Sequence, residues 1–191
     1  MRREKGVVPT NHEAPADEGP TLETERLVLR PLSADDADAL RRISNEPEVR
    51  RHLWDGEPVG EATIRDVIAQ SEGMFSEGGV GLFGVRMRGS EKLLGFCGLV
   101  RLGGTAEPEL GYELTREAWG RGLATEAARA CLRHAFADRG IERVVAEADA
   151  PNAASLRVIE KLGMRPAGNI NPDDPHRPYF ALYRGDFFAS V

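Results

Sequence analysis

The chain has 191 residues, of which 41% are hydrophobic and 29% charged, with a formal net charge of −6 at pH 7. This length and composition are ordinary for one globular domain. The acidic balance argues against nucleic acid as a main partner, because duplex binding needs clustered cations. A membrane partner is not expected either, because no run of 18 apolar residues is present.

Residues 1–20 contain few large apolar side chains and many acidic ones and prolines. Such a segment has too little surface to bury, so we expect a disordered tail followed by one domain over residues 21–191. Cys97 and Cys131 lie in apolar stretches, and the histidines are scattered without metal-ligand spacing. These patterns indicate buried thiols in a reducing cytoplasm and no metal site.

The first half of the chain alternates strand and helix patterns. Apolar residues at every second position predict a strand over 25–31, and Ser33 is a candidate N-cap for the helix that follows. A second helix is predicted over 61–77, where a Gly-Gly pair stops it. VGLFGVRMR and KLLGFCGLVR flank a short turn, which indicates a β-hairpin.

The second half continues with a strand over 107–115, a helix after the glycines at 120 and 122, and a strand over 142–149. A helix over 152–163 ends at a glycine, and RPYFALYRGDF (177–187) is predicted as a last strand. This order indicates an α+β, or mixed α/β, single domain around one twisted sheet.

The segment WGRGLA, residues 119–124, places Gly120 and Gly122 on either side of Arg121 where a helix begins. Each glycine costs roughly 0.5 to 1 kcal/mol relative to alanine in a helix, so these two indicate a need for bare backbone. The first turn of a helix has unpaired N–H groups and partial positive charge, which suits a phosphate, and the Thr125 hydroxyl adds a donor. The alternative is a plain glycine turn between a strand and a helix.

Three segments, in order, resemble one family. WGRGLATEA resembles the pyrophosphate loop (Q/R)xxGx(G/A) of the GNAT superfamily of N-acetyltransferases, with Trp119 in place of Gln or Arg. TERLVLRPLSADDADAL resembles the opening of the RimJ/RimL-type branch, and NAASLRVIEKLGM resembles the later NxxSxxxxEKxG segment. The resemblance covers about residues 21–186. It implies a GNAT-like domain with a central twisted, mostly antiparallel sheet flanked by helices, and acetyl-coenzyme A as the acetyl donor.

The resemblance also implies a coenzyme site. The sheet splays between the strands at 107–115 and 142–149, and pantetheine enters the gap. Asn152 and Ser155 begin the next helix beside that gap, although both are also favoured N-terminal capping residues. The implied coenzyme contacts are Leu114, Thr115, Trp119, Gly120, Arg121, Gly122, Leu123, Ala124, Thr125, Asn152 and Ser155.

Amine acetylation benefits from a base, because an α-amino group with a pKa of roughly 8 is mostly protonated at neutral pH. Glu109, Glu113 and Glu147 are candidates, and Glu109 is narrowly preferred. Many members of the family have a tyrosine acid seven residues after the asparagine, where this chain has Ile159. Ser155, Tyr112 or a water molecule would replace that acid, or positioning supplies most of the rate.

The sequence thus predicts an acetyl-CoA-dependent N-acetyltransferase that acts on a primary amine, either a protein N-terminus or a small molecule, by direct attack on the thioester. Trp54 and the acidic loop 171–176 are candidates for the acceptor side. The alternative is a coenzyme A-binding regulatory or scaffold module without chemistry, since a fold alone does not establish catalysis. A homodimer is compatible with either function.

Overall fold

The computed structural model describes residues 19–53, 56–101, 107–168 and 178–189. Trp54 and the loop 171–176, which we expected on the acceptor side, lie outside the described residues, as do residues 1–18 of the predicted tail. Within the described part, no helix is both long enough and apolar enough to cross a membrane.

The strands of the described residues form one eight-stranded sheet in the order β1-β2-β3-β4-β5-β6-β8-β7. Neighbouring strands pair antiparallel, except for the parallel pair β5 and β6. The strands are β1 Leu22–Glu23, β2 Leu27–Pro31, β3 Leu82–Met87, β4 Leu93–Val100, β5 Glu109–Leu114, β6 Arg143–Glu147, β7 Arg165–Pro166 and β8 Tyr179–Tyr183.

Helices pack on both faces of this sheet. The α-helices of the described residues are α1 Ala37–Ser44, α2 Pro47–Arg50, α3 Glu61–Gly78, α4 Leu123–Arg133, α5 Ala153–Lys161 and α6 Arg184–Ala189. Short 3-10 turns precede α1 at Ala34–Asp36 and α4 at Arg116–Ala118, and a π-helical turn, His134–Asp138, extends α4. The mixed α/β architecture predicted from the order of elements is confirmed.

Two apolar cores lie on the two faces of the sheet. One contains residues of α4 and α5 with the inward side chains of β2 to β6, including both buried cysteines. The other joins α1 and α3 to residues of β3 and β4, such as Leu82 and Phe96. Because residues of a strand alternate between the faces, β3 and β4 contribute to both cores, and four of the six residues of β3 and seven of the eight residues of β4 are buried.

Local signals account for most element boundaries. Ser33 occupies the N-cap position of the turn that leads into α1, and its N–H donates to the Asp36 carboxylate over 3.3 Å. Gly79 ends α3 in the left-handed conformation, with φ at 67°. The predicted hairpin is β3 and β4, paired antiparallel with an irregularity between Val85 and Arg86. These predictions are confirmed.

The prediction of a last strand through residue 187 is wrong in its second half. The strand β8 ends at Tyr183, and Arg184 begins α6, whose Phe187 is buried against Phe136 with ring centroids 5.3 Å apart. The alternation of apolar residues breaks at Arg184-Gly185-Asp186, and the helix turns Phe187 back toward the core. The short elements β1, α2 and β7 were not predicted at all.

The gap between β5 and β6 is the feature that positions the site. These parallel strands share one register pair, Glu109 with Val145, and the Val145 N–H donates to the Pro108 carbonyl over 3.1 Å. Beyond that pair the strands are not paired, while β5 continues to bond β4 as far as Leu114. The sheet is therefore splayed where the sequence predicted it, and the second half of β5 has an open edge.

Candidate active site

A glycine loop connects the open end of β5 to α4. After Leu114 the chain makes the turn Arg116–Ala118, and Gly120 and Gly122 then adopt φ angles of 72° and 76°. L-residues with side chains rarely adopt this left-handed conformation, so the loop requires glycine at both positions. Gly122 is the N-cap residue of α4. The cost of the two glycines is thus explained by the shape of the loop.

This loop leaves a series of main-chain donors unused. Within the described residues, the N–H groups of residues 120–125 have no hydrogen-bond partner, and the first intrahelical bond runs from Glu126 N to Gly122 O over 3.1 Å. The 11-residue helix α4 adds partial positive charge at the same end. Unpaired donors and a helix N-terminus together form a site suited to an anion.

The side chains of the loop serve packing more than binding. Leu123 is buried in the core, and Ala124 and Thr125 are half-buried. Trp119 is 44% exposed, and its indole Nε1 donates to the Leu114 carbonyl oxygen over 2.7 Å. The residue that replaces Gln or Arg in the family pattern therefore fastens the loop to the end of β5.

Thr115, a predicted coenzyme contact, has protein partners for each of its polar groups. Its N–H donates to the Leu94 carbonyl over 2.7 Å, and its hydroxyl donates to Glu46 Oε1 over 2.6 Å. Its own carbonyl accepts the Ala118 N–H over 3.0 Å. These bonds favour a structural role in which Thr115 fixes the turn between β5 and the loop.

Asn152 and Ser155 lie at the start of α5, beside the gap. The Asn152 side chain caps the helix, because its Oδ1 accepts the Ser155 N–H over 3.1 Å. The Ser155 hydroxyl lies 2.6 Å from the Tyr112 hydroxyl of β5. Burial raises the pKa of Tyr112 to about 12, despite the opposing effect of the Ser155 hydrogen bond. A pair of hydroxyl groups thus connects β5 to α5 across the splayed region, while Ile159 is buried in the core.

The other face of the same strands carries carboxylates. Glu109 on β5 is aligned with Val145, and two residues further along β6 Glu147 is aligned with Tyr179 of β8, so these side chains share one face. Tyr179 donates to Glu107 over 3.3 Å, and burial together with Glu107 raises the pKa of Tyr179 to about 12.

Glu113, which alternation placed on the face of Glu109, is buried to 2% exposure beneath α1. Its Oε1 accepts the Ser44 hydroxyl over 2.6 Å. Because the Glu113 carboxylate is enclosed beneath α1, an acceptor cannot reach it. This geometry favours Glu109 and Glu147 over Glu113 as candidate bases.

Two contacts near the site had no signal in the sequence. His52, which follows α2, places its Nδ1 3.4 Å from Asp149 Oδ2, just beyond the end of β6. Arg26, which precedes β2, contacts the glycine loop from 95 residues away in sequence. Each is an ordinary polar residue in a short segment, and neither pairing follows from residue spacing.

A glycine loop with unused N–H groups, at the splayed edge of a mixed sheet, is the kind of site that suits an anionic ligand beside an open strand. Residues 26–165 match the acetyltransferase (GNAT) domain family. The chain therefore belongs to the GNAT acetyltransferases, enzymes that take the acetyl group from acetyl-CoA. The donor predicted from the sequence is confirmed with the family.

Known relatives and structures agree with this assignment. A Bacillus subtilis (strain 168) protein named as an uncharacterized N-acetyltransferase, YoaA, is 30% identical over 78% of this chain and 85% of its own length. The FsC-acetyl coenzyme A-N(2)-transacetylase of Aspergillus fumigatus is 29% identical over 76% of this chain and 65% of that protein. The crystal structure of an acetyltransferase from Agrobacterium tumefaciens str. C58 superposes with a TM-score of 0.76 and 26% identity, covering 95% of this chain and 99% of that one.

Proposed function

We propose that this acetyltransferase transfers the acetyl group of acetyl-CoA to a primary amine by direct attack of the amine on the thioester. The observation that carries the proposal is the run of unused N–H groups at 120–125, placed where β5 leaves the sheet beside the gap. Direct transfer agrees with the burial of both cysteines, since burial raises the pKa of Cys131 far above the range of a reactive thiol.

In this proposal the glycine loop binds the diphosphate. The N–H groups of Gly120, Arg121, Gly122, Leu123, Ala124 and Thr125 supply the donors, and the Arg121 side chain adds positive charge. These amides need no rearrangement to accept an anion, because they form no competing bond within the described part of the protein.

Pantetheine then lies along the open edge of β5. Successive N–H groups of a strand point to opposite edges, and the Thr115 N–H points to β4, so the Leu114 N–H faces the gap. The Trp119 indole already donates to the Leu114 carbonyl. The Leu114 N–H is therefore the group that pairs with a pantetheine amide. Asn152 and Ser155 border the other side of the gap.

The acceptor amine approaches from the face that carries Glu109, Glu147 and Tyr179. Two carboxylates favour a cationic ammonium group by simple charge attraction. Glu109 takes one proton from the bound ammonium, and the neutral amine then attacks the thioester; as the amide forms, the nitrogen loses a second proton to Glu109, and both protons pass on to solvent. Glu109 has this role because it is the residue of this face that lies at the start of the splay. His52 and Asp149 lie at the far end of β6 and place a second pair of polar side chains there.

The departing thiolate lies on the opposite face, near the hydroxyl pair. A thiol has a reference pKa of roughly 8.5, so it leaves without a strong acid, and a single donated proton suffices. Ser155 donates its hydroxyl proton to the sulfur and takes one from Tyr112, to which it is bonded over 2.6 Å. Solvent returns the proton to Tyr112, and the sum is acetylated amine plus free coenzyme A.

The acceptor class follows from the branch that the chain resembles. The RimJ/RimL-type resemblance of residues 24–40 favours a protein N-terminus, and a small-molecule amine is the other acceptor that fits an open carboxylate face. The name of the relative from Aspergillus fumigatus, an N(2)-transacetylase, likewise specifies transfer to nitrogen.

The test is an assay of thiol release from acetyl-CoA, run with a panel of small amines and a library of peptides that have free N-termini. Mass spectrometry of the products identifies the acetylated nitrogen. We expect release above the rate of hydrolysis with at least one class of amine. Binding of acetyl-CoA without turnover on any amine would overturn the proposal.

A further inference from the structure

We propose that Arg26 is a positioning residue of the coenzyme site. Arg26 holds the Arg121 carbonyl on the side away from the ligand, so that the Gly122 N–H points toward the diphosphate. This inference rests on the proposed binding of the diphosphate by the glycine loop. It assigns a role to the segment TERL (24–27), which the proposed function leaves unexplained.

The contact between Arg26 and the loop is direct. Arg26 Nη1 donates to the Arg121 carbonyl oxygen over 2.9 Å. A Cβ atom built on Gly122 would lie 3.7 Å from Arg26 Nη2, so the guanidinium packs against the loop at the second glycine. The Arg26 side chain is 41% exposed, which places it at the rim of the loop rather than in the core.

Because the peptide bond is planar, the contact with the Arg121 carbonyl also fixes the direction of the Gly122 N–H. In a trans peptide the C=O of one residue and the N–H of the next point in opposite directions and rotate together. Fixing the Arg121 oxygen on the Arg26 side therefore fixes the Gly122 N–H on the other side. Glycine at 120 and 122 makes this peptide free to rotate, so a loop built for close approach of an anion needs such a restraint.

Glu126 holds the guanidinium in place. Its Oε2 accepts from Arg26 Nε over 2.7 Å and forms an ion pair with Arg26 Nη2 over 2.5 Å. Its Oε1 accepts the Arg26 N–H over 2.9 Å and the Thr24 hydroxyl over 2.6 Å. Burial alone would raise the pKa of Glu126, but these hydrogen bonds and the Arg26 charge hold it below its ordinary value. Glu126 is therefore ionised at neutral pH and lies one turn from Gly122 in α4.

The geometry of the fork explains why this residue is arginine. A guanidinium presents donors in a fixed plane, so Arg26 contacts Glu126 with Nε and Nη2 and still directs Nη1 at the Arg121 carbonyl. A lysine has one nitrogen and reaches one of these partners at a time. The hairpin β1–β2 thus contacts the glycine loop through the Arg26 side chain.

The test compares Arg26→Gln with Arg30→Gln, a matched control on the same hairpin whose ion pair with Glu91 is exposed and includes no residue of the glycine loop. Two ligands are used, acetyl-CoA by calorimetry and S-acetylpantetheine, which lacks the diphosphate, by ligand-observed NMR. We expect Arg26→Gln to raise the Kd for acetyl-CoA about tenfold, the size of one good hydrogen-bonding restraint. The Kd for S-acetylpantetheine should stay within about twofold of the wild type.

A larger loss of affinity for acetyl-CoA than for S-acetylpantetheine distinguishes positioning of the diphosphate from general damage to the fold. If Arg26→Gln weakens both ligands equally, or binds acetyl-CoA as the wild type does, the role of Arg26 is overturned while the proposed function stands. If the wild-type protein binds acetyl-CoA no better than S-acetylpantetheine, the loop is not the diphosphate site, and both proposals fail. Arg30→Gln should match the wild type with both ligands.

Discussion

Glu109 and Tyr112, which pairs with Ser155, lie on opposite faces of β5. Residues at odd and even positions of a strand alternate between its faces, so one strand presents a carboxylate on one face and a phenol on the other. The splay from β6 opens both faces at that point. In the proposed mechanism this order of residues along β5 keeps the candidate base and the candidate acid apart.

Replacing Glu109 by Gln tests the base. The isosteric amide removes the proton acceptor with little change in packing, so we expect turnover at pH 7 to fall about a hundredfold. The defect should shrink as the pH rises above about 8, because an α-amino acceptor is then already neutral. The measurement is a pH profile of kcat for both proteins.

Glu142→Gln is the control for that profile, since Glu142 forms an exposed ion pair with Arg184 at the edge of β6 and should leave kcat unchanged. A defect in Glu109→Gln that is the same at every pH would exclude Glu109 as the base and leave Glu147 as the remaining candidate on that face.

Tyr112→Phe and Ser155→Ala test the hydroxyl pair as a unit. If Ser155 donates to sulfur and draws its proton from Tyr112, each single change should lower kcat about tenfold and the double change little further, because groups that act together are not additive. Independent effects that multiply in the double variant would contradict the relay. Melting temperatures of all three variants check that packing is retained.

The pH dependence of this pair has a definite sign. The pKa of Tyr112 is raised to about 12, so the phenol keeps its proton below that pH and is lost as a donor only above it. The relay therefore adds no ionisation to the kcat profile between pH 6 and pH 10. An acid limb or alkaline limb that disappears in Tyr112→Phe within this range would argue against the assignment.

At the scale of the element, the backbone conformation of the glycine loop exposes the N–H groups that are proposed to bind the diphosphate. Gly122→Asp puts a side chain and a negative charge at the N-terminus of α4, so we expect the Kd for acetyl-CoA to rise at least a hundredfold. Gly163→Asp is the matched control, because Gly163 has nearly the same φ, 77°, with no atom within 4 Å of an added Cβ.

Both substitutions carry a similar cost of about 1 kcal/mol for forcing a side chain into the left-handed region. Calorimetry with acetyl-CoA and thermal melts of the two variants separate this shared strain from the effect on the site. Equal affinities in the two variants would mean that residue 122 is not at the diphosphate.

Elements whose boundaries are set by local chemistry could be predicted from the sequence. Ser33, Gly79 and the turn at 89–91 act on their immediate neighbours, and all three were predicted correctly. The end of β8 could not be predicted in this way, because Phe187 continues the apolar pattern of the strand. Phe187 lies instead in a helix, where it packs on Phe136, a residue distant in sequence. Resemblance indicated the candidate site, but the contact of the buried Glu113 with Ser44 is a tertiary contact that no spacing reveals.

At the scale of the molecule, the glycine loop and the turn before it are held by two distant parts of the chain and by the neighbouring end of β5. Arg26 reaches it from the first hairpin, and Glu46 holds Thr115 and the Arg116 N–H from the start of α2. Trp119 closes it onto β5. These bonds hold the loop in shape from behind and leave its N–H groups for a ligand, so binding should cost little ordering of the backbone.

Coenzyme binding should therefore stabilise the whole domain, with its largest local effect at the loop. At acetyl-CoA concentrations near 100 times Kd we expect about 2.7 kcal/mol of added stability, which corresponds to a rise in Tm of roughly 5 to 10 °C for a chain of this size. Hydrogen exchange should slow most at the amides of residues 120–125 and at Leu114, while amides of β3 and β4 slow only as much as global stability requires. Glu109→Gln should keep the full rise in Tm because the role proposed for Glu109 concerns the acceptor, and Gly122→Asp should lose it. Protection centred on any other segment would place the coenzyme elsewhere.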